Sequence, residues 1–179
     1  RDFTLGGPTV DAAYAYGIKA QFASLPDGNY ARTDVTIEDV TVRNSDKTEI
    51  DLNGVGSANL VDVTAIGNGT GGAGIALSDT RDVTIEDATT TGNGWGAVAV
   101  YTNGGYAVPA GTDGVTFAGD NSFENSVYLQ GDLSLITNVE VPADATHEVT
   151  YDQGGYVGYF DSRADAEAFV AAADSPDSF

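Results

Sequence analysis

Carboxylates dominate the chemistry this sequence could perform: 20 Asp and 7 Glu stand against 5 Arg and 2 Lys, a net charge of −20. Asp39, Asp62 and Asp87 recur at steps of 23 and 25 residues. Stacked carboxylates repel unless a cation or backbone N–H groups intervene, so the three form a candidate Ca²⁺ site built from clustered oxygens. Glu38 and Glu86 sit in two identical Val-Thr-Ile-Glu-Asp copies, and two such acids could serve glycoside hydrolysis if they converged. Repetition alone accounts for their recurrence, however. Lys19 and Asp51 are a candidate cation–carboxylate pair, which in isolation is a surface ion pair contributing at most about 1 kcal/mol. Tyr101 and Tyr128 are candidate platforms for a sugar ring, with Trp95 between two glycines as another aromatic. His147 is the sole histidine and there is no cysteine. That excludes thiolate metal sites, disulfides and any histidine pair, and no nucleophile elbow accompanies the histidine. Asn68-Gly69-Thr70 matches the pattern of an N-glycosylation acceptor.

The charge balance restricts partners. With no basic patch to displace counterions from phosphates, nucleic acid is not an expected ligand. No run of eighteen apolar residues is present, so no helical membrane insertion is expected. Strong acidity suits a saline environment, bound Ca²⁺ or plain solubility. At 179 residues and 41% apolar composition, one domain with a true core is expected.

Positioning these residues falls to short strands. Twenty-three Gly, together with many Asn, Asp and Thr, separate brief Val/Ile/Thr runs. The period is near 24 residues. One apolar column reads Ile37, Leu60, Ile85, Phe117, and a second reads Ile18, Ile50, Ile75, Val98, Val127. The long steps in both coincide with loops over 23–33 and 101–114, as expected for insertions that project from single repeats. The same register places Lys19, Asp51, Ala76, Ala99 and Tyr128 in one outward column, and Gln21, Asn53, Ser78, Tyr101 and Gln130 in the next. Ala76 and Ala99 would then leave a shallow exposed strip between the tyrosines. Asn44, Asn68 and Asn93 are expected at equivalent turns, where Asn tolerates left-handed backbone and can ladder from repeat to repeat.

Three short strands per repeat, inward Val/Ile/Leu columns and an Asn ladder resemble the right-handed parallel β-helix of pectate lyase-like proteins. The resemblance covers 1–150 and implies an all-β solenoid of about 5–6 rungs at roughly 4.8 Å per rung. It leaves function open, because that fold carries lyases, glycosidases, adhesins and inert spacers. For a lyase, the resemblance implies Ca²⁺-binding carboxylates beside a cationic base, which here would be the Lys19/Asp51 face. Leucine-rich repeats lack their Leu spacing here. The Ca²⁺ β-roll nonapeptide fails at Ala76, where it needs Asp.

Residues 151–179 differ from the rest. Ser162 can cap a helix whose apolar face is Ala166, Phe169, Val170 and Ala173, ended by Pro176. A short helix over about 162–174 is expected to cap the C-terminal end of the coil. No comparable cap precedes Arg1, so the first rung is expected to continue into a longer precursor or to meet another chain. The preferred function is a non-catalytic secreted or cell-surface module, structural or adhesive, with a glycan as candidate partner. The alternatives are a polysaccharide lyase or glycosidase, and a self-assembling shell or filament subunit.

Overall fold

The computed structural model describes residues 2–7, 9–11, 15–69, 71–102, 108–124, 127–131, 133–139, 147–151 and 155–160. These residues are all-β apart from one 3-10 turn, Leu133–Leu135. Strands occur in threes. The first set is β1 (Asp2–Gly6), β2 (Thr9–Asp11) and β3 (Ile18–Gln21), followed by a small hairpin of β4 (Ala23–Ser24) and β5 (Tyr30–Ala31). Then come β6 (Asp34–Glu38), β7 (Thr41–Arg43) and β8 (Ile50–Asn53), and after them β9 (Ser57–Val61), β10 (Thr64–Ile66) and β11 (Ala73–Ser78). The fourth set is β12 (Arg81–Glu86), β13 (Thr89–Thr91) and β14 (Gly96–Tyr101), and the fifth is β15 (Thr112–Ala118), β16 (Ser122–Phe123) and β17 (Val127–Gln130). The chain closes with β18 (Ile136–Val139), β19 (His147–Tyr151) and β20 (Gly155–Phe160).

Each sheet takes every third strand. Sheet A runs β1-β6-β9-β12-β15-β18, sheet B β2-β7-β10-β13-β16, and sheet C β3-β8-β11-β14-β17-β19-β20. All pairs in these sheets are parallel except β19–β20, which is antiparallel. That hairpin straddles the division expected at residue 150. The helix expected over 162–174 lies outside the described residues.

The register places like residues over like. Ile37 pairs with Leu60, Leu60 with Ile85, and Ile85 with Phe117. In sheet C, Ile18, Ile50, Ile75, Val98 and Val127 follow one another. In sheet B, Val10, Val42, Ala65, Thr90 and Phe123 do the same. The buried members of the first two columns share a single cluster with Val42, and Val10, Phe117 and Phe123 pack against it. The sequence folds this way because side chains alternate along each strand, and the inward alternate is apolar at each of these positions except Thr90.

Two expectations need correction. The Asn column is out of step by one: Arg43 pairs with Ile66, so Asn44 stands over Gly67, and Ser45 over Asn68. Asn44 is there because its backbone is left-handed (φ 63°), as Gly92 is at the matching corner (φ 65°). The second insertion is also shorter than expected. β14 reaches Tyr101 and β15 starts at Thr112, with Gly114 (φ 76°) bending that strand near its middle.

Candidate functional site

The candidate binding residues do come together on the outer side of sheet C. Lys19 pairs with Asp51, Asp51 with Ala76, Ala76 with Ala99, and Ala99 with Tyr128. Gln21, Asn53, Ser78, Tyr101 and Gln130 form the adjacent column. The expected open strip is absent, because this face is covered. Ala76 and Ala99 are buried and Tyr128 is only 6% exposed. Together with Ala73 they form a second small core, against which Trp95 and Tyr101 pack. The Trp95 ring lies 5.1 Å from that of Tyr128 and 5.6 Å from that of Tyr101. The small residues are therefore seats for aromatic rings, and the pattern that suggested a shallow strip marks close packing.

The ion pair is half-buried. Lys19 Nζ lies 2.8 Å from Asp51 Oδ2, and the Asp51 side chain is 3% exposed. Asn53 Nδ2 donates to the same oxygen at 2.7 Å. Lys19 also sits 4.3 Å from the centroid of the Tyr16 ring, a cation–π contact. A cation compensated by a buried carboxylate and an aromatic face is held as a positioned charge. Asn53 Oδ1 and Ser78 Oγ, both buried, find no partner among the described residues.

The carboxylate column is placed differently from a metal site. Asp39, Asp62 and Asp87 occupy equivalent corners after paired Glu38, Val61 and Glu86, with Gly119 next in line. Their φ angles are 55°, 51° and 52°, and that of Gly119 is 65°. Asp recurs here because a left-handed corner must be filled by Gly, Asn or Asp. Asp87 Oδ1 accepts from the N–H of Asp120 at 2.7 Å. Among the described residues no group of three His, Asp or Glu side chains is arranged to hold a metal. Glu38 and Glu86 are likewise two positions apart along sheet A, with Val61 between them. His147 lies in β19, paired with Val127.

Inspection of charge alone missed a clasp at the corner between sheets C and A. Both insertions follow a strand of sheet C and precede the next strand of sheet A, β3 to β6 and β14 to β15. Arg32, from the first, donates to the carbonyls of Val55, Asp79 and, at 2.9 Å, Pro109 in the second. Arg81 donates to the carbonyls of Thr80 and Gly111, and Asp79 Oδ1 accepts from Gly111 N at 2.7 Å. Burial, then the neighbouring Arg81 charge, lower the Arg32 pKa, while Asp79 opposes them. The sequence signal was partial: of the five arginines, Arg32 lies within the first insertion.

One other buried acid stands apart. Glu49 is fully buried, and burial raises its pKa against the opposing hydrogen bonds from Ser45. Both the N–H and the hydroxyl of Ser45 donate to it. Comparison with protein-family models, with curated proteins and with solved structures finds no match for this chain.

Proposed function

We propose that this chain is a right-handed parallel β-helix, resembling the pectate lyase-like fold, that acts as a secreted or cell-surface structural or adhesive module. The observation that carries the reading is the strict rotation of strands among sheets A, B and C with side chains in register over five consecutive sets. Strand-to-strand connections of this parallel kind are right-handed almost without exception. Polar groups of the types used in catalysis here hold the coil. Asp39, Asp62 and Asp87 fill left-handed corners, Asp51 compensates Lys19, and Arg32 and Arg81 bind carbonyls. A repeating rod of this kind presents long surfaces at fixed spacing, which suits adhesion and spacing.

The rival reading, a polysaccharide lyase or glycosidase at Lys19 and Asp51, and the glycan contact at Tyr101 and Tyr128, both require the covered face of sheet C to open. Incubation with acidic and neutral polysaccharides, followed by unsaturated-product absorbance and reducing-end release, separates the readings. The structural module gives no turnover. Product formation that is lost in Lys19→Ala would replace it with the enzyme.

A second reading, self-association, is favoured by one feature. β1, β2 and β3 are each the terminal strand of their sheet, and all three lie at the same end. Three such edges side by side form a template for a rung from a second copy. Sedimentation over a concentration series tests it: a growing weight-average mass supports assembly, and a constant monomer mass removes it.

A further inference from the structure

We infer that Asn68 is a glycan attachment site, a reading that rests on the secreted or cell-surface assignment above. Asn68-Gly69-Thr70 is the only Asn-x-Ser/Thr triplet in the sequence. A triplet alone is weak, but its place in the fold is specific. The register sets Ser45, Asn68 and Asn93 at one position after β7, β10 and β13. Two of the three turn inward. Ser45 is buried against Glu49, and Asn93, 3% exposed, donates its Nδ2 to the carbonyls of Ala65 and Thr91. Asn68 is exposed.

The difference comes from turn length. Between this position and the residues paired across sheet C, the flanking turns have two residues, 46–47 and 94–95, whereas the Asn68 turn has four, 69–72. The connection after Asn68 is therefore two residues longer than its neighbours, starting at the acceptor triplet. Gly69 (φ 80°) and Gly71 (φ 44°) are left-handed, and nothing lies within 4 Å of where their Cβ atoms would be. An acceptor Asn must be reached by an enzyme, and an exposed Asn68 followed by Gly69, with open space at its Cβ position, meets that condition.

The ligand class is a glycan carried on a lipid phosphate or diphosphate. In the transfer, Asn68 Nδ2 bonds to the anomeric carbon, and the bond from that carbon to the phosphate oxygen breaks. The lipid phosphate leaves with the electron pair, and the amide proton passes to a carboxylate of the transferring enzyme. The Thr70 hydroxyl is the group the enzyme reads.

Intact-mass spectrometry of the protein from the cells that make it, with cytoplasm and surface or medium analysed separately, tests the site. The proposal expects surface or medium protein heavier than its polypeptide by whole saccharide units. That increment is lost in Asn68→Gln and Thr70→Ala and kept in Thr70→Ser. Surface or medium protein at the bare polypeptide mass would overturn the site and leave the location standing. Bare protein confined to the cytoplasm would overturn both. Asn68→Gln retaining the increment would place the modification elsewhere and overturn the proposal.

Discussion

At the scale of single residues, the least favourable atoms lie among the stacked parallel strands. Thr90 occupies the inward column of sheet B between Ala65 and Phe123. It is buried, and its Oγ1 has no partner among the described residues. A buried hydroxyl without a partner carries its full desolvation penalty, so Thr90→Val, equal in shape, should raise stability by about 1 kcal/mol. Denaturant unfolding checks this, and a loss of stability would show that the hydroxyl is bonded. Glu49 gives a pH test. A carboxyl with a higher pKa folded than unfolded favours folding most below its unfolded pKa, and that advantage is lost as pH rises through the folded value. Glu49→Gln should therefore gain on the wild type in melting temperature as pH rises above the unfolded carboxyl's value of about 4.3. A difference that stays flat with pH would contradict a buried, raised carboxyl. Asp11 and Asp113 work the other way. Asn44 and Arg43 lower the first, and Thr137 and Asn138 lower the second, so their small contributions fade as pH falls.

At the scale of elements, the legible part of the sequence was whatever repeats. The columns through Ile37 and Ile50 could be read from spacing because each stacked strand places an apolar side chain at the same register position. The cover over sheet C was not legible. Ala76 and Ala99 fit an exposed shallow strip and a tight aromatic seat equally well, and only the burial of Tyr128 decides between them. The Asn ladder misled because Asn serves two different needs one residue apart: left-handed backbone at Asn44, and an inward amide at Asn93. The Asp corners follow from backbone as well. Asp62→Gly should be tolerated, as Gly119 is in the same column, while Asp62→Ala at φ 51° should cost about 1–2 kcal/mol. Chelation should leave the melting temperature of the wild type unchanged, and a fall on chelation would restore Ca²⁺ to the account. Leu60→Ala, in the middle of the sheet A column, should cost about 2–5 kcal/mol.

For the whole molecule, charge and periodicity set the behaviour. A net charge of −20 on 179 residues repels itself in the compact state. Because the Debye length falls from about 10 Å at 0.1 M to about 3 Å at 1 M salt, added NaCl should raise the melting temperature and ease any association at β1–β3. The central claim is that successive circuits lie one strand spacing apart in a continuous coil. The chain has no native cysteine, so paired spin labels can be placed without background on the outward column Thr36, Asn59, Thr84 and Thr116 of sheet A. Pulsed and continuous-wave electron paramagnetic resonance on the Asn59/Thr84, Asn59/Thr116 and Thr36/Thr116 pairs gives the separations of one, two and three spacings. The account predicts backbone separations that rise in equal steps of about 4.8 Å. Separations that do not increase in that order, or a Thr36/Thr116 pair too distant to share a stacked column, would contradict the coil.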